Sequence, residues 1–161
     1  MNSRSRGLMR QWRKARELSW PDRWLFLQAW LAFPVLPLIL RPLGFRRTHH
    51  FLHDLTAQAG LTSNAGAQGL DHARAIARLV HAAAARTCYT PMCLHRSLLL
   101  WTFLRRRGIA GHLRLGVRKE QERLQAHAWV EYEGSILNDA EDVHDRFAPL
   151  ERIKTAGENR A

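Results

Sequence analysis

An α+β fold follows from three features of the chain. Helical apolar stretches fill it up to Gly108, alternating strand-like runs follow from His112 to Asp139, and one helix is apolar around most of its circumference. That helix, read from Pro91 to about Arg107, carries Met92, Leu94, Leu98, Leu99, Leu100, Trp101, Phe103 and Leu104. It is therefore placed at the centre, with a small antiparallel sheet packed on it.

A chain of 161 residues that is 46% hydrophobic can bury one core, with an appended arm. Its 25 Lys and Arg against 14 Asp and Glu give a formal charge of +11. Such a balance favours an anionic partner: nucleic acid, a membrane surface, or an acidic protein or peptide. No helix-turn-helix, RNA-recognition or zinc-finger pattern accompanies it, and Arg105, Arg106 and Arg107 close a helix, so nucleic acid is not expected. Cys88 and Cys93 are too few for a disulfide framework, and no apolar run ends in a small-residue cleavage site near the N-terminus. A cytoplasmic location is expected.

Residues 1–19 form a basic arm through Arg4, Arg6, Arg10, Arg13, Lys14 and Arg16. The most apolar run, Trp24 to Leu40, is interrupted by Gln28, Pro34 and Pro37. It falls short of the about 20 residues that span a bilayer, and the prolines are expected to break it. Residues 20–58 are read as an apolar helical arm: a helix opening near Pro21, a proline-directed bend, then a short segment to Leu43. Trp20, Trp24 and Trp30 are its core or interface anchors, and peripheral membrane contact through Trp24 to Leu40 is left open. His49, His50 and His53 have no carboxylate or thiol at zinc-site spacing, so they are read as surface residues and no metal is expected.

Residues 59–70 are read as a loop rich in Gly, Ser and Asn. Asp71 is placed as the cap of a helix whose stripe is Ile76, Leu79, Val80 and Ala83. Thr90 and Pro91 suit the cap and first position of the central helix, and Gly108 its end. Leu113, Leu115 and Val117 alternate in one strand and Ala126 to Tyr132 forms the next, with Lys119 to Leu124 as a charged connection. After Glu133 and Gly134 a third strand, Ser135 to Asp139, returns. The remainder to Ala161 is polar except for Phe147, Leu150 and Ile153, and residues 151–161 are its tail.

The chemistry-bearing residues are Cys93, His127 and Asp139: a thiol, an imidazole and a carboxylate, the parts of a cysteine-based acyl-transfer site. A first-turn position for Cys93 puts its sulfur where unpaired amides and the helix dipole favour a thiolate, and its own amide where an oxyanion would form. The plainer reading is a small buried apolar residue. Cys88, outside the helix, is read as structural. A three-residue loop at Tyr132, Glu133 and Gly134 would pair Glu131 with Ser135 and set His127 opposite Asp139 on one face; a two-residue turn would put them on opposite faces. Asp142 and Asp145 are the alternative carboxylates.

The segments CLHRSLLLWTFLRRRGIAGHLRLGV (from Cys93) and AHAWVEYEG (from Ala126), with the preceding HARAIARLVHAAAART and the apolar stretch ending in PLGFRR, resemble the leader peptidase of lasso-peptide biosynthesis. That family sits in the transglutaminase-like cysteine peptidase superfamily, and the resemblance covers roughly residues 18 to 150. It implies a papain-like core in residues 59–150, with Cys93 as nucleophile, His127 as general base and acid, and Asp139 orienting His127, and no cofactor. It also implies a ribosomally made precursor peptide as substrate and an ATP-dependent cyclase as partner. Because no run of strands precedes Thr90 in the sequence reading, the leader is expected to be brought by a separate recognition protein. The alternatives are an acyltransferase that passes its acyl-enzyme to an amine and a non-catalytic membrane-associated or nucleic-acid-binding adaptor.

Overall fold

The computed structural model describes residues 19–57, 67–120 and 123–150. The basic arm before Ser19, Ile153 and the 151–161 tail lie outside the described residues. Three long helices, α1 (Trp20–Thr56), α2 (Ala67–Ala84) and α3 (Cys93–Arg106), precede a sheet of β1 (His112–Glu120), β2 (Arg123–Tyr132), β3 (Ser135–Ile136) and β4 (Ala148–Pro149). A one-turn helix, α4 (Val143–Arg146), lies between the last two strands. The sheet is antiparallel in the order β3-β2-β1-β4.

The main core is helical and joins one face of the sheet. Leu25, Ala29, Phe33 and Leu36 of α1 meet Ile76 and Val80 of α2, Leu98, Trp101 and Leu104 of α3, and Val130 and Tyr132 of β2. A second, smaller cluster, Trp129, Val143 and Phe147, forms around the alternate side chains of β2. Strand β2 thus has apolar residues on both faces, as its period-two geometry requires of a strand covered on each side.

Helix α1 departs from the expected bend. Helical geometry continues through Pro34, Pro37 and Pro42, and the break falls at Gly44, with φ of 71°. A proline deprives the carbonyl four residues earlier of its donor. For Pro37 that carbonyl belongs to Phe33, and the Tyr89 hydroxyl donates to it instead. The carbonyl freed by Pro37 is thus satisfied by a side chain from the segment leading into α3.

Other expectations shift by a few residues. Helix α2 begins at Ala67, so Asp71 lies inside it, exposed, and is not a cap. Helix α3 begins at Cys93, after Thr90 and Pro91, and its N-cap is Met92, whose amide donates to His95 Nδ1 at 3.3 Å. Its end is as expected: Gly108 has φ of 75°, its amide donates to the Arg105 carbonyl, and Ile109 donates to Leu104. That pair of bonds is a Schellman motif, which needs the left-handed residue glycine supplies. Lys119 and Leu124, expected in a connection, belong to the strands.

One burial reading is narrowed and one overturned. Trp20, Trp24 and Trp30, expected as core or interface anchors, are exposed, which removes the core option. His49 is buried, not on the surface, because α1 turns it onto Trp101 of α3, with ring centres 4.6 Å apart.

Candidate active site

His127 and Asp139 are in contact: Nε2 of the imidazole meets Oδ2 of the carboxylate. The route differs from the expected one. Tyr132 pairs with Ser135 and Glu131 with Ile136, so the turn holds only Glu133 and Gly134, both with positive φ, 48° and 75°. This two-residue turn has the dihedral signs of type I′. Continued as a ladder, it would put the two side chains on opposite faces.

The ladder does not continue. After Ile136 the Leu137 amide still donates to the Val130 carbonyl at 3.0 Å, but the Val130 amide donates to Asn138 Oδ1 at 2.8 Å. A side chain replaces backbone there, the strand ends, and the chain turns back beneath β2 so that Asp139 arrives under His127. Asn138, beside a predicted strand end, was the signal for this, because asparagine competes with the backbone for hydrogen bonds.

The imidazole is half-buried, with its ring stacked on Phe147 at 4.7 Å and beside Trp129 at 6.3 Å. Room for this comes from Gly116, the ladder partner of His127. A Cβ there would lie 2.8 Å from the Trp129 ring and 3.0 Å from Phe147. Asp139 is also held by Arg146 Nη2 at 2.8 Å and by the Ala140 amide at 2.7 Å. Burial acts to raise its pKa, but the hydrogen bonds from His127, Ala140 and Arg146 outweigh it and hold the carboxyl below its ordinary value. Asp139 is therefore a carboxylate at neutral pH. Asp142, one alternative carboxylate, pairs with Arg146 at 3.1 Å, and Asp145 is exposed.

Cys93 is half-buried at the first position of α3, and both cysteines are free thiols. Among the described residues no hydrogen bond joins its sulfur to His127. What links the two is Ser97, one turn further along the same face of α3. Its hydroxyl, fully buried, donates to the Ala128 carbonyl at 2.8 Å and accepts from Asn138 Nδ2 at 2.8 Å. The network therefore touches α3 four residues after Cys93, β2 one residue after His127, and the return segment one residue before Asp139.

Its position also shows how thiol and ring are related. Val130 and Tyr132 face the helical core while His127 shares the other face with Trp129. Ala128 and Val130 direct their carbonyls to the edge that β3 abandons after Ile136. The Ser97 clamp at that open edge is what joins the helix of Cys93 to the strand of His127. An open groove of about 330 Å³ is lined by His81, Thr87, Cys88, Tyr89, Pro91 and Arg96. Cys88 is exposed on its wall.

Sequence reasoning missed Ser97, Asn138 and Arg146. It also missed the buried Glu131, which accepts from Trp129 Nε1 at 2.7 Å and Arg114 Nε at 2.9 Å and lies 2.9 Å from His144. Burial acts to raise the Glu131 pKa, and these partners reverse it. No group of His, Cys, Asp and Glu suited to a metal ion occurs among the described residues.

Comparison with known proteins agrees with this architecture. The chain is 36% identical over 61 residues to the microcin J25-processing protein McjB of Escherichia coli. The match takes in 38% of this chain and spans 28% of that protein's length. No solved structure matches. A family model described as the transglutaminase-like superfamily matches residues 39–152, most of the chain and the whole of the site just described, and the protein belongs to that superfamily.

Proposed function

We propose that this protein is a cysteine peptidase that removes the leader from a lasso-peptide precursor, with Cys93 as nucleophile, His127 as base and acid, and Asp139 as the residue that orients His127. The observation that carries the reading is the His127–Asp139 contact, tied through Asn138 and Ser97 to the helix that begins with Cys93. The family, and the likeness to a protein named for processing microcin J25, support the same reading.

Because Asp139 takes Nε2, Nδ1 is the nitrogen left to receive the thiol proton. In the proposed mechanism Nδ1 takes that proton as sulfur attacks the scissile carbonyl carbon. The negative oxygen is met by the Cys93 amide, which has no acceptor within the helix. As the C–N bond breaks, Nδ1 returns the proton to the leaving amine. Water then gives a proton to Nδ1 and its hydroxide to the thioester, freeing the leader as a carboxylate and restoring the thiol. The groove lined by Pro91 and Arg96, which flank Cys93 in sequence, offers the peptide a concave approach.

The proposed pathway includes a separate protein that recognises the leader and an ATP-dependent cyclase that closes the ring on the trimmed peptide. The reaction is placed in the cytoplasm.

The test is to incubate the protein with a candidate precursor and leader-binding protein and measure product masses. Leader and core masses that sum to the precursor plus water are expected, with Cys88→Ala active and Cys93→Ala inactive. Equal loss in both variants would remove Cys93 as the nucleophile. A product joined to an amine would replace peptidase by acyltransferase.

A further inference from the structure

Between Trp20 and Leu43, α1 is apolar around its whole circumference apart from a few positions, yet the fold covers only one side. Leu25, Ala29, Phe33 and Leu36 are buried on α2 and α3. At 100° per residue, Trp20, Trp24, Leu27, Leu31, Val35 and Leu38 form a second stripe centred opposite the first. All six are exposed, from 41% at Leu27 to 79% at Trp20. The stripe is about 27 Å long at 1.5 Å per residue.

Charge says what covers it. No carboxylate occurs between Arg23 and Asp54, and Arg41, Arg46 and Arg47 stand exposed where the stripe ends at the Gly44 break. The sequence before Ser19 adds Arg4, Arg6, Arg10, Arg13, Lys14 and Arg16 at the other end. Tryptophans on an apolar face with arginines at both ends match the zone where acyl chains give way to anionic headgroups. We propose that α1 lies in the surface of an anionic lipid bilayer, with the Trp20–Leu38 stripe in the headgroup–acyl boundary and the arginines on lipid phosphates. The helix is long and apolar enough to cross a bilayer, but crossing would strip Leu25, Ala29, Phe33 and Leu36 from the core. The same helix serves both solvents by lying flat. This inference stands on α1 alone and is independent of the peptidase reading.

Flotation of the full chain with vesicles of phosphatidylcholine, alone or mixed with phosphatidylglycerol, tests it. The chain is expected to float with the anionic vesicles, less so as salt rises, and to be released by carbonate. Leu27→Ser with Leu31→Ser should abolish flotation while leaving the thermal melt unchanged, since neither side chain packs in the core. Arg41→Gln, Arg46→Gln and Arg47→Gln should each weaken partition about fivefold. Flotation equal on neutral vesicles, or resistant to carbonate, would overturn the proposal. So would failure to float, including the case in which the chain is instead a dimer that Leu31→Ser separates.

Discussion

Two histidines in this molecule rest on aromatic rings at nearly the same distance, and they differ in what their nitrogens meet. His127 lies 4.7 Å from Phe147, with Nε2 on the Asp139 carboxylate. His49 lies 4.6 Å from Trp101, but its buried Nδ1 has no partner, and His50, His53 and Arg105 surround it. Burial first, then those cations, lower the His49 pKa from 6.5 to about 4. A stacked imidazole is thus not in itself a site. Its chemistry is decided by whether a carboxylate or a cation stands next to it.

The comparison breaks most sharply at His127. His127→Ala is expected to lower kcat/KM for leader removal by about 10⁴-fold or more, and Asp139→Asn by about 10³-fold. The second substitution gives His127 the same lack of a carboxylate that His49 has. Full activity in Asp139→Asn, measured by product mass over time, would end the analogy and the proposed role together.

Ser97 sharpens the contrast, because no such clamp stands beside His49. Ser97→Ala leaves the Ala128 carbonyl and Asn138 Nδ2 without their partner, at a cost of about 1–3 kcal/mol in stability. Beyond that, the rate at which iodoacetamide alkylates Cys93 should change, because the Ser97 clamp fixes α3 against β2 and the return segment. Ser97→Thr should restore it. An unchanged alkylation profile would reduce Ser97 to a packing residue.

The smallest effect is expected at His49 and concerns stability only. Between pH 6.5 and about 4 the unfolded chain binds a proton that the folded chain refuses, so the stability this group allows is full above 6.5 and falls as pH drops through that window. Urea melts at about pH 7 and about pH 5 should differ by up to about 2 kcal/mol from this group. His49→Phe should flatten that difference without touching leader removal. A slope unchanged in His49→Phe would assign it to other histidines.

The order of helices and strands and the glycine stop of α3 were readable in the sequence, since each rests on local pattern; His127 and Asp139 were singled out, but through a ladder the structure does not keep. The register was not readable. A glutamate at positive φ is uncommon, so Glu133-Gly134 did not announce a two-residue turn. What restored the contact was Asn138 ending the ladder, a tertiary choice made with Ser97 41 residues away in sequence. The surface reading of His49 failed for a related reason. A helix apolar on every side does not reveal which side the fold will use.

Gly116 has one last implication, for how this protein can vary. With Trp129 and Phe147 already pressed against the space above its Cα, any larger residue at 116 demands a smaller one at 129 or, because the contact at 147 is the Cβ itself, a glycine there. Phe147 is the shelf for the His127 ring, so a change made there to relieve crowding would tilt the imidazole. The three positions can drift only in concert, and a variant carrying one such change should be rescued by its counterpart and by no other.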